Sequence, residues 1–203
     1  MNKSIIFVIM GVCGSGKTTV AGKLSKEIHC SYRDADNFHS EENKKKMASG
    51  YPLTDEVTET VCVETQTQIG PRSDLPRQDR IPWLLAIYGY IKSLSDSNTP
   101  GIVTCSALKR KYRDILVFGE DALRKEHAGT QENGCPVLFV YLKGSPTLIS
   151  ARLKERKGHF MPAELLQSQI DILEEPDEFE RHVTVDIDCS VDTIVSSIIK
   201  HIK

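Results

Sequence analysis

Apolar residues follow two rhythms along this chain. Ile5-Ile-Phe-Val-Ile-Met10 is an unbroken apolar run that ends at Gly11; it predicts a strand buried on both faces, as in the middle of a parallel sheet. Val20, Leu24 and Ile28 then recur at helical spacing, so strand, glycine-rich turn and helix follow one another. Short apolar runs at Gly101–Cys105, Val137–Leu142 and Val183–Ile187 predict further strands, and Tyr32-Arg-Asp-Ala-Asp36 reads as the end of the second strand.

Helical spacing returns in Trp83, Leu84, Ile87, Tyr90, Ile91 and Leu94, behind a Pro82 that a first helical turn tolerates. It returns again in Leu148, Ile149 and Leu153 behind Ser145-Pro146, and in the tail from Val191 to Ile202. Ser40, Glu41 and Glu42, then Lys44 to Lys46 and Gly50, place acid first, base last and a terminal glycine, which describes a capped helix. Strands alternating with helices predict a parallel α/β sheet with right-handed crossovers. Val57 to Gln78 breaks this rhythm: it is rich in Thr and Gln, has no helical period and ends in Pro, Arg and Ser punctuation.

Composition narrows the class. The 203 residues, 39% hydrophobic and 27% charged, suffice for one domain with one good core. A net charge of -2 argues against nucleic acid as a partner, because phosphate-backbone binding needs a basic face. The six cysteines lie far apart without metal-like spacing and read as reduced thiols of a cytoplasmic protein. The apolar run after Lys3 is too short for a signal sequence, and no stretch reaches the roughly 18 apolar residues of a membrane span.

Three groups of residues carry candidate chemistry. Gly11-Val-Cys-Gly-Ser-Gly-Lys17-Thr18 matches the phosphate-binding pattern G-x-x-x-x-G-K-[ST] and falls between a predicted strand and helix. In that pattern the loop backbone wraps phosphate with its N–H groups, the lysine reaches the outer phosphates and the hydroxyl ligates magnesium. Asp34 and Asp36, two apart on a predicted strand, would face the same crevice, one near a metal and one accepting a proton from an incoming hydroxyl. Arg152-Leu-Lys-Glu-Arg156-Lys-Gly158 places cations on a short arc, suited either to a solvated face or to a flap that neutralises a transferring phosphoryl group.

The blocks G-V-C-G-S-G-K-T, D-A-D-N-F-H-S-E-E-N, K-M-A-S-G-Y-P-L-T-D, D-R-I-P-W-L, C-S-A-L-K-R-K-Y-R-D-I-L, V-Y-L-K-G, R-L-K-E-R-K-G-H-F-M-P and L-L-Q-S-Q, in that order, resemble the gluconokinase family nearly end to end. The resemblance implies a three-layer α/β fold of the P-loop nucleoside-monophosphate-kinase type, with a parallel sheet flanked by helices and a mobile lid near 152–162. It also implies ATP-dependent phosphorylation of D-gluconate at its terminal hydroxyl, Mg2+ as cofactor, and a cytosolic homodimer. Carried over, Gly11, Val12, Cys13, Gly14, Ser15, Gly16, Lys17, Thr18 and Thr19 would hold ATP, with Thr18 and Asp34 at the metal. Asp36 would be the base; Arg80, Ser106, Lys109, Arg113 and His159 would bind the sugar acid, and Arg152 and Arg156 would serve the lid. Arg113 could instead pair with Asp114 or the protein surface.

Two departures stand out. Cys13 occupies a position where the family usually has serine; only the backbone N–H is needed there, while a thiol at a helix N-terminus could alternatively make the enzyme oxidation-sensitive. The family's continuous P-L-x-D-x-D-R-x-P-W-L is split here into Pro52-Leu-Thr-Asp-Glu56 and Asp79-Arg-Ile-Pro-Trp-Leu84 by the segment 57–78. That insertion is either a surface loop that leaves Asp55 and Arg80 adjacent or an alternative product with an impaired site. A nucleotide-binding scaffold without turnover, or a shikimate-kinase-like enzyme, are the competing readings. A GTP switch is excluded by the lack of D-x-x-G after the loop and of N-K-x-D.

Overall fold

The structure is a computed structural model that describes residues 4–39, 41, 80–124, 134–155 and 163–201. The predicted helix from Ser40 to Gly50, the 57–78 insertion, and Arg156 and His159 of the lid lie outside the described residues, Glu41 excepted.

Strands β1 (Ile6–Met10), β2 (Ser31–Asp34), β3 (Gly101–Thr104), β4 (Val137–Lys143) and β5 (His182–Asp186) form one five-stranded sheet in the order β2-β3-β1-β4-β5. All neighbouring strands pair in parallel, with Ile6 opposite both Gly101 and Val137. The helices are α1 (Lys17–Glu27), α2 (Arg80–Asp96), α3 (Arg110–Phe118), α4 (Pro146–Glu155), α5 (Ala163–Asp171) and α6 (Val191–Lys200), with short 3-10 turns at Ala35–Phe38 and Gly119–Leu123.

Strand pleating divides the core into two layers. Ile6, Val8 and Met10 point to one face, where Trp83, Leu84, Ile87 and Ile91 of α2 and Tyr112, Ile115 and Leu116 of α3 cover them. Phe7 and Ile9 point to the other, under Val20 and Leu24 of α1, Ile149 of α4 and Ile194, Val195 and Ile198 of α6. All five residues of β1 are at most 2% exposed. At about 1.5–3 kcal/mol for each large apolar side chain removed from water, burial holds this central strand firmly in place. The loop that follows it at Gly11 inherits that rigidity.

Two helices have no counterpart in the sequence expectations. Helix α3 begins Arg110-Lys-Tyr-Arg-Asp, a charged run whose apolar stripe of Tyr112, Ile115 and Leu116 is narrow, and α5 sits beyond the lid block. The second strand is shorter than expected. It ends at Asp34, because the Asp34 carboxylate accepts the Asp36 N–H at 3.1 Å and turns the chain into the 3-10 segment. Asp34 and Asp36 therefore do not share a strand face.

Candidate active site

The turn between β1 and α1 is shaped for an anion. Gly11, Gly14 and Gly16 all take positive φ (140°, 82° and 93°), which lets the chain turn tightly between β1 and α1. Helix α1 has no side-chain N-cap and no acidic residue in its first turn. Its N-terminal donors and the positive end of its dipole are thus left to a ligand instead of being neutralised by the protein.

Lys17 opens that helix and folds back over the loop. Its Nζ donates to the carbonyl oxygens of Gly11 at 2.9 Å and Val12 at 3.0 Å. Burial of the ammonium lowers its pKa, against weaker opposing effects from Cys13, Cys105, Asp36 and Asp34, which also identifies these groups as its electrostatic neighbours. Thr18 and Thr19 are exposed on the first turn.

The acidic side of the site comes from the end of β2. Asp34 Oδ2 accepts from Thr18 Oγ1 at 3.3 Å and from Tyr32 Oη at 3.0 Å, while Oδ1 takes the Asp36 N–H. Thr18 and Asp34, separated in the sequence by a whole helix, are thus adjacent. Asp36 projects outward, its side chain 87% exposed, with His39 Nε2 at 3.9 Å from Oδ1. His39 is buried and stacks on Trp83 with centroids 4.5 Å apart, and Trp83 Nε1 donates to Ala35 O at 2.8 Å. The turn carrying Asp36 is therefore fastened to α2 by an indole.

A third wall follows β3. Gly11 N donates to Ser106 O at 3.3 Å, tying the phosphate loop to the segment before α3. Lys109 is the N-cap residue of α3, and its Nζ lies 5.6 Å from the centre of the Tyr112 ring. Arg80, the first residue of α2, donates from Nη1 to Tyr112 Oη at 2.9 Å and also lies over that ring. Arg80 and Lys109 thus converge on Tyr112, two cations from distant parts of the sequence at one place.

Arg113 departs from the expected substrate fork. It is 1% exposed, its Nε and Nη2 pair with both carboxylate oxygens of Glu180, and its Nη1 donates to the carbonyls of Ala107 (3.1 Å) and Glu174 (2.8 Å). A guanidinium so enclosed holds protein backbone in place; it does not present an open fork to a solute. Arg152 is half-buried on α4 and donates to Ile187 O at 2.6 Å, just past β5. Among the described residues, no cluster of three or more His, Cys, Asp or Glu side chains could cage a metal. The described cysteines are free thiols, and burial pushes Cys105 up to about 12.

No family model matches the chain. Individual relatives do. It is 40% identical over 201 residues to a probable gluconokinase of Mus musculus, covering 98% of this chain and 97% of that one. Among solved structures it resembles a gluconokinase from Sinorhizobium meliloti 1021 with 35% identity and a TM-score of 0.67, over 96% of this chain and 87% of the other. An unliganded sugar kinase from Janibacter gives 34% identity and a TM-score of 0.73, over 97% and 93%. The chain belongs to the gluconokinase family. The parallel sheet and the glycine-rich turn ahead of α1 are its P-loop kinase fold.

Membership of that family gives the geometry a common purpose, since a kinase must hold a polyphosphate and a hydroxyl side by side. Two residues at this site had no sequence signal of their own. Glu180 pairs with an arginine 67 positions away, and Gln169 on α5 accepts from the phosphate-loop amide of Cys13, 156 positions away. Neither relation has a local pattern to betray it.

Proposed function

We propose that the protein transfers the terminal phosphoryl group of ATP to the terminal hydroxyl of D-gluconate. Support comes from one observation above the rest: in a chain of the gluconokinase family, Lys17, Thr18 and Asp34 meet beyond the C-terminal ends of the strands, with Asp36 on the adjoining turn. The amides at the start of α1 and Lys17 bind the polyphosphate, Lys17 through the one N–H that it does not give to the Gly11 and Val12 carbonyls. Asp36 accepts the proton of the gluconate hydroxyl as its oxygen bonds to the γ-phosphorus and the bond to the bridging oxygen breaks, releasing ADP. Arg80 and Lys109 bind the sugar-acid carboxylate, with Ser106 and His159 beside it, while Arg152 and Arg156 serve the phosphates or the adenine.

Thr18 and Asp34 fit magnesium, which needs only one or two protein oxygens beside phosphate. Bound there, the ion supplies charge neutralisation on the polyphosphate. We also infer, from the family resemblance, a cytosolic homodimer, to be tested by light scattering and fractionation.

The test is ADP release with ATP and magnesium, comparing D-gluconate, shikimate and no acceptor. The full-length protein is measured beside a variant lacking residues 57–78. Gluconate alone is expected to stimulate. Response of the shortened protein only would mean that the insertion disrupts the substrate site, and acceptor-independent silence from both would overturn the reading.

A further inference from the structure

The peptide unit joining Val12 to Cys13 is held at both ends by side chains. Its carbonyl accepts from Lys17 Nζ at 3.0 Å, and its N–H donates to Gln169 Oε1 at 2.7 Å. The short contact to the backbone N–H fixes which end of the Gln169 amide is oxygen. One amide plane is therefore threaded between a cation and a neutral acceptor, and the two hydrogen bonds polarise each other through it. The same stretch of loop is supported from behind by α4: a Cβ on Gly14 would lie 2.8 Å from Leu153 Cγ and 3.2 Å from Ile149 Cγ2. Gly14 is thus in close apolar contact, and the hydrogen bond from Cys13 is the polar one on this side.

The Ser15 N–H also reaches the Val12 carbonyl, at a longer 3.3 Å, so the bond to Gln169 is what fixes the opposite, N–H end of the plane, and without it the carbonyl would be free to tilt away from Lys17. A neutral acceptor is suited to the task. A carboxylate there would add negative charge beside a loop that receives phosphate, whereas the amide oxygen orients the peptide at no such cost. We propose that Gln169 is a positioning residue for phosphoryl transfer, fixing the 12–13 peptide and through it the placement of Lys17. The proposal rests on the reading of this loop as the ATP site.

The experiment measures ATP affinity by calorimetry, and kcat and KM for both substrates, in wild type, Gln169→Met, Gln169→Glu, Lys17→Met and the Lys17→Met/Gln169→Met double variant. Gln169→Met, which keeps the length but loses the acceptor, is expected to weaken ATP binding and lower kcat by roughly fivefold to tenfold, the range of one lost hydrogen bond. The KM for gluconate should stay as in wild type, and the melting temperature within about 4 °C of it. Gln169→Glu keeps the acceptor, so kcat should return to within about threefold of wild type, with ATP bound more weakly than by wild type. In the Lys17→Met background Gln169→Met should have less than about a twofold further effect on ATP affinity, because the side chain it positions is gone. Additive losses in the double variant, or an unchanged kcat in Gln169→Met, would overturn the proposal. Wild-type protein that bound no ATP would overturn the ATP-site reading itself, and this inference with it.

Discussion

Arg113 and Glu180 meet fork to fork inside the protein, their side chains 1% and 5% exposed. From this pair a chain of contacts runs to the phosphate loop. Arg113 Nη1 holds the carbonyl of Ala107, a residue in the left-handed region at φ 45°, and the neighbouring Ser106 carbonyl accepts the Gly11 N–H. Non-glycine residues occupy that region at a cost of about 1–2 kcal/mol, so the turn depends on such external support.

Glu180→Ala should therefore be severe. Removing one partner of a buried ion pair leaves the other charge uncompensated and costs about 3–5 kcal/mol. Urea unfolding should show the loss as a lower midpoint. Replacing both residues with apolar ones of similar volume should recover most of that stability while leaving the Ala107 turn without its donor, so kcat would stay reduced. Equal stability of Glu180→Ala and wild type would contradict the role assigned to the pair.

Lys17 carries a pH prediction whose sign follows from burial. Its pKa in the unliganded protein is lowered, so the charged form is disfavoured in the fold. At pH values below the lowered pKa the cost of the buried charge is fully present. It fades as pH rises from that value toward the ordinary lysine range, and the unliganded protein gains stability there from this group. ATP binding needs the cation, so affinity should fall as pH rises through the lowered pKa toward the ordinary lysine range. Titrations of wild type and Lys17→Met from neutral to alkaline pH should show a decline in the first and a low, flat affinity in the second. Parallel curves would remove Lys17 from the phosphate site.

The two aspartates should separate by phenotype. Asp36→Asn changes an exposed carboxylate whose backbone N–H, not its side chain, helps close the turn, so ATP affinity should remain within about twofold of wild type while kcat falls by a hundredfold or more. Asp34→Asn touches Thr18, Tyr32 and the Asp36 amide together and should weaken ATP binding as well as turnover. Steady-state kinetics with parallel calorimetry decides this. Retained turnover in Asp36→Asn would take the base role from it.

Much of this was readable along the chain, and the exceptions share a cause. Ile6 to Met10 is legible as a central strand because burial on both faces requires every position to be apolar, and Gly11 to Thr18 because phosphate binding imposes residue types at fixed spacing. Arg113 is assigned to the substrate fork by the family resemblance, whereas only a carboxylate 67 positions away makes its burial possible, and no local pattern announces that partner. Asp34 and Asp36 were set on one strand face because alternation says nothing of a side chain that caps the next turn. Gln169 lies within a family block yet announces no role, since a half-exposed glutamine on a helix has no signal until the loop it touches is beside it.

Glycines give a final contrast between function and stability. Gly14 takes φ 82°, and a Cβ there would meet Leu153 Cγ at 2.8 Å, so Gly14→Ala is strained by its backbone and blocked by α4. Relief would have to come from the loop, since α4 is anchored through Ile149, which is 2% exposed. A loop displaced by even about 1 Å can cost a hundredfold in rate. Gly22 within α1 and Gly89 within α2 differ in both respects: neither has a positive φ, and nothing lies within 4 Å of a Cβ added to either. Alanine at each should stabilise the protein by about 0.5–1 kcal/mol, through the entropy glycine loses in a helix. Thermal melts and ATP-dependent turnover of the three variants should therefore move in opposite directions, with Gly14→Ala inactive and Gly22→Ala and Gly89→Ala active with raised melting temperatures. An active Gly14→Ala would mean that the phosphate loop can move away from α4 without losing its function.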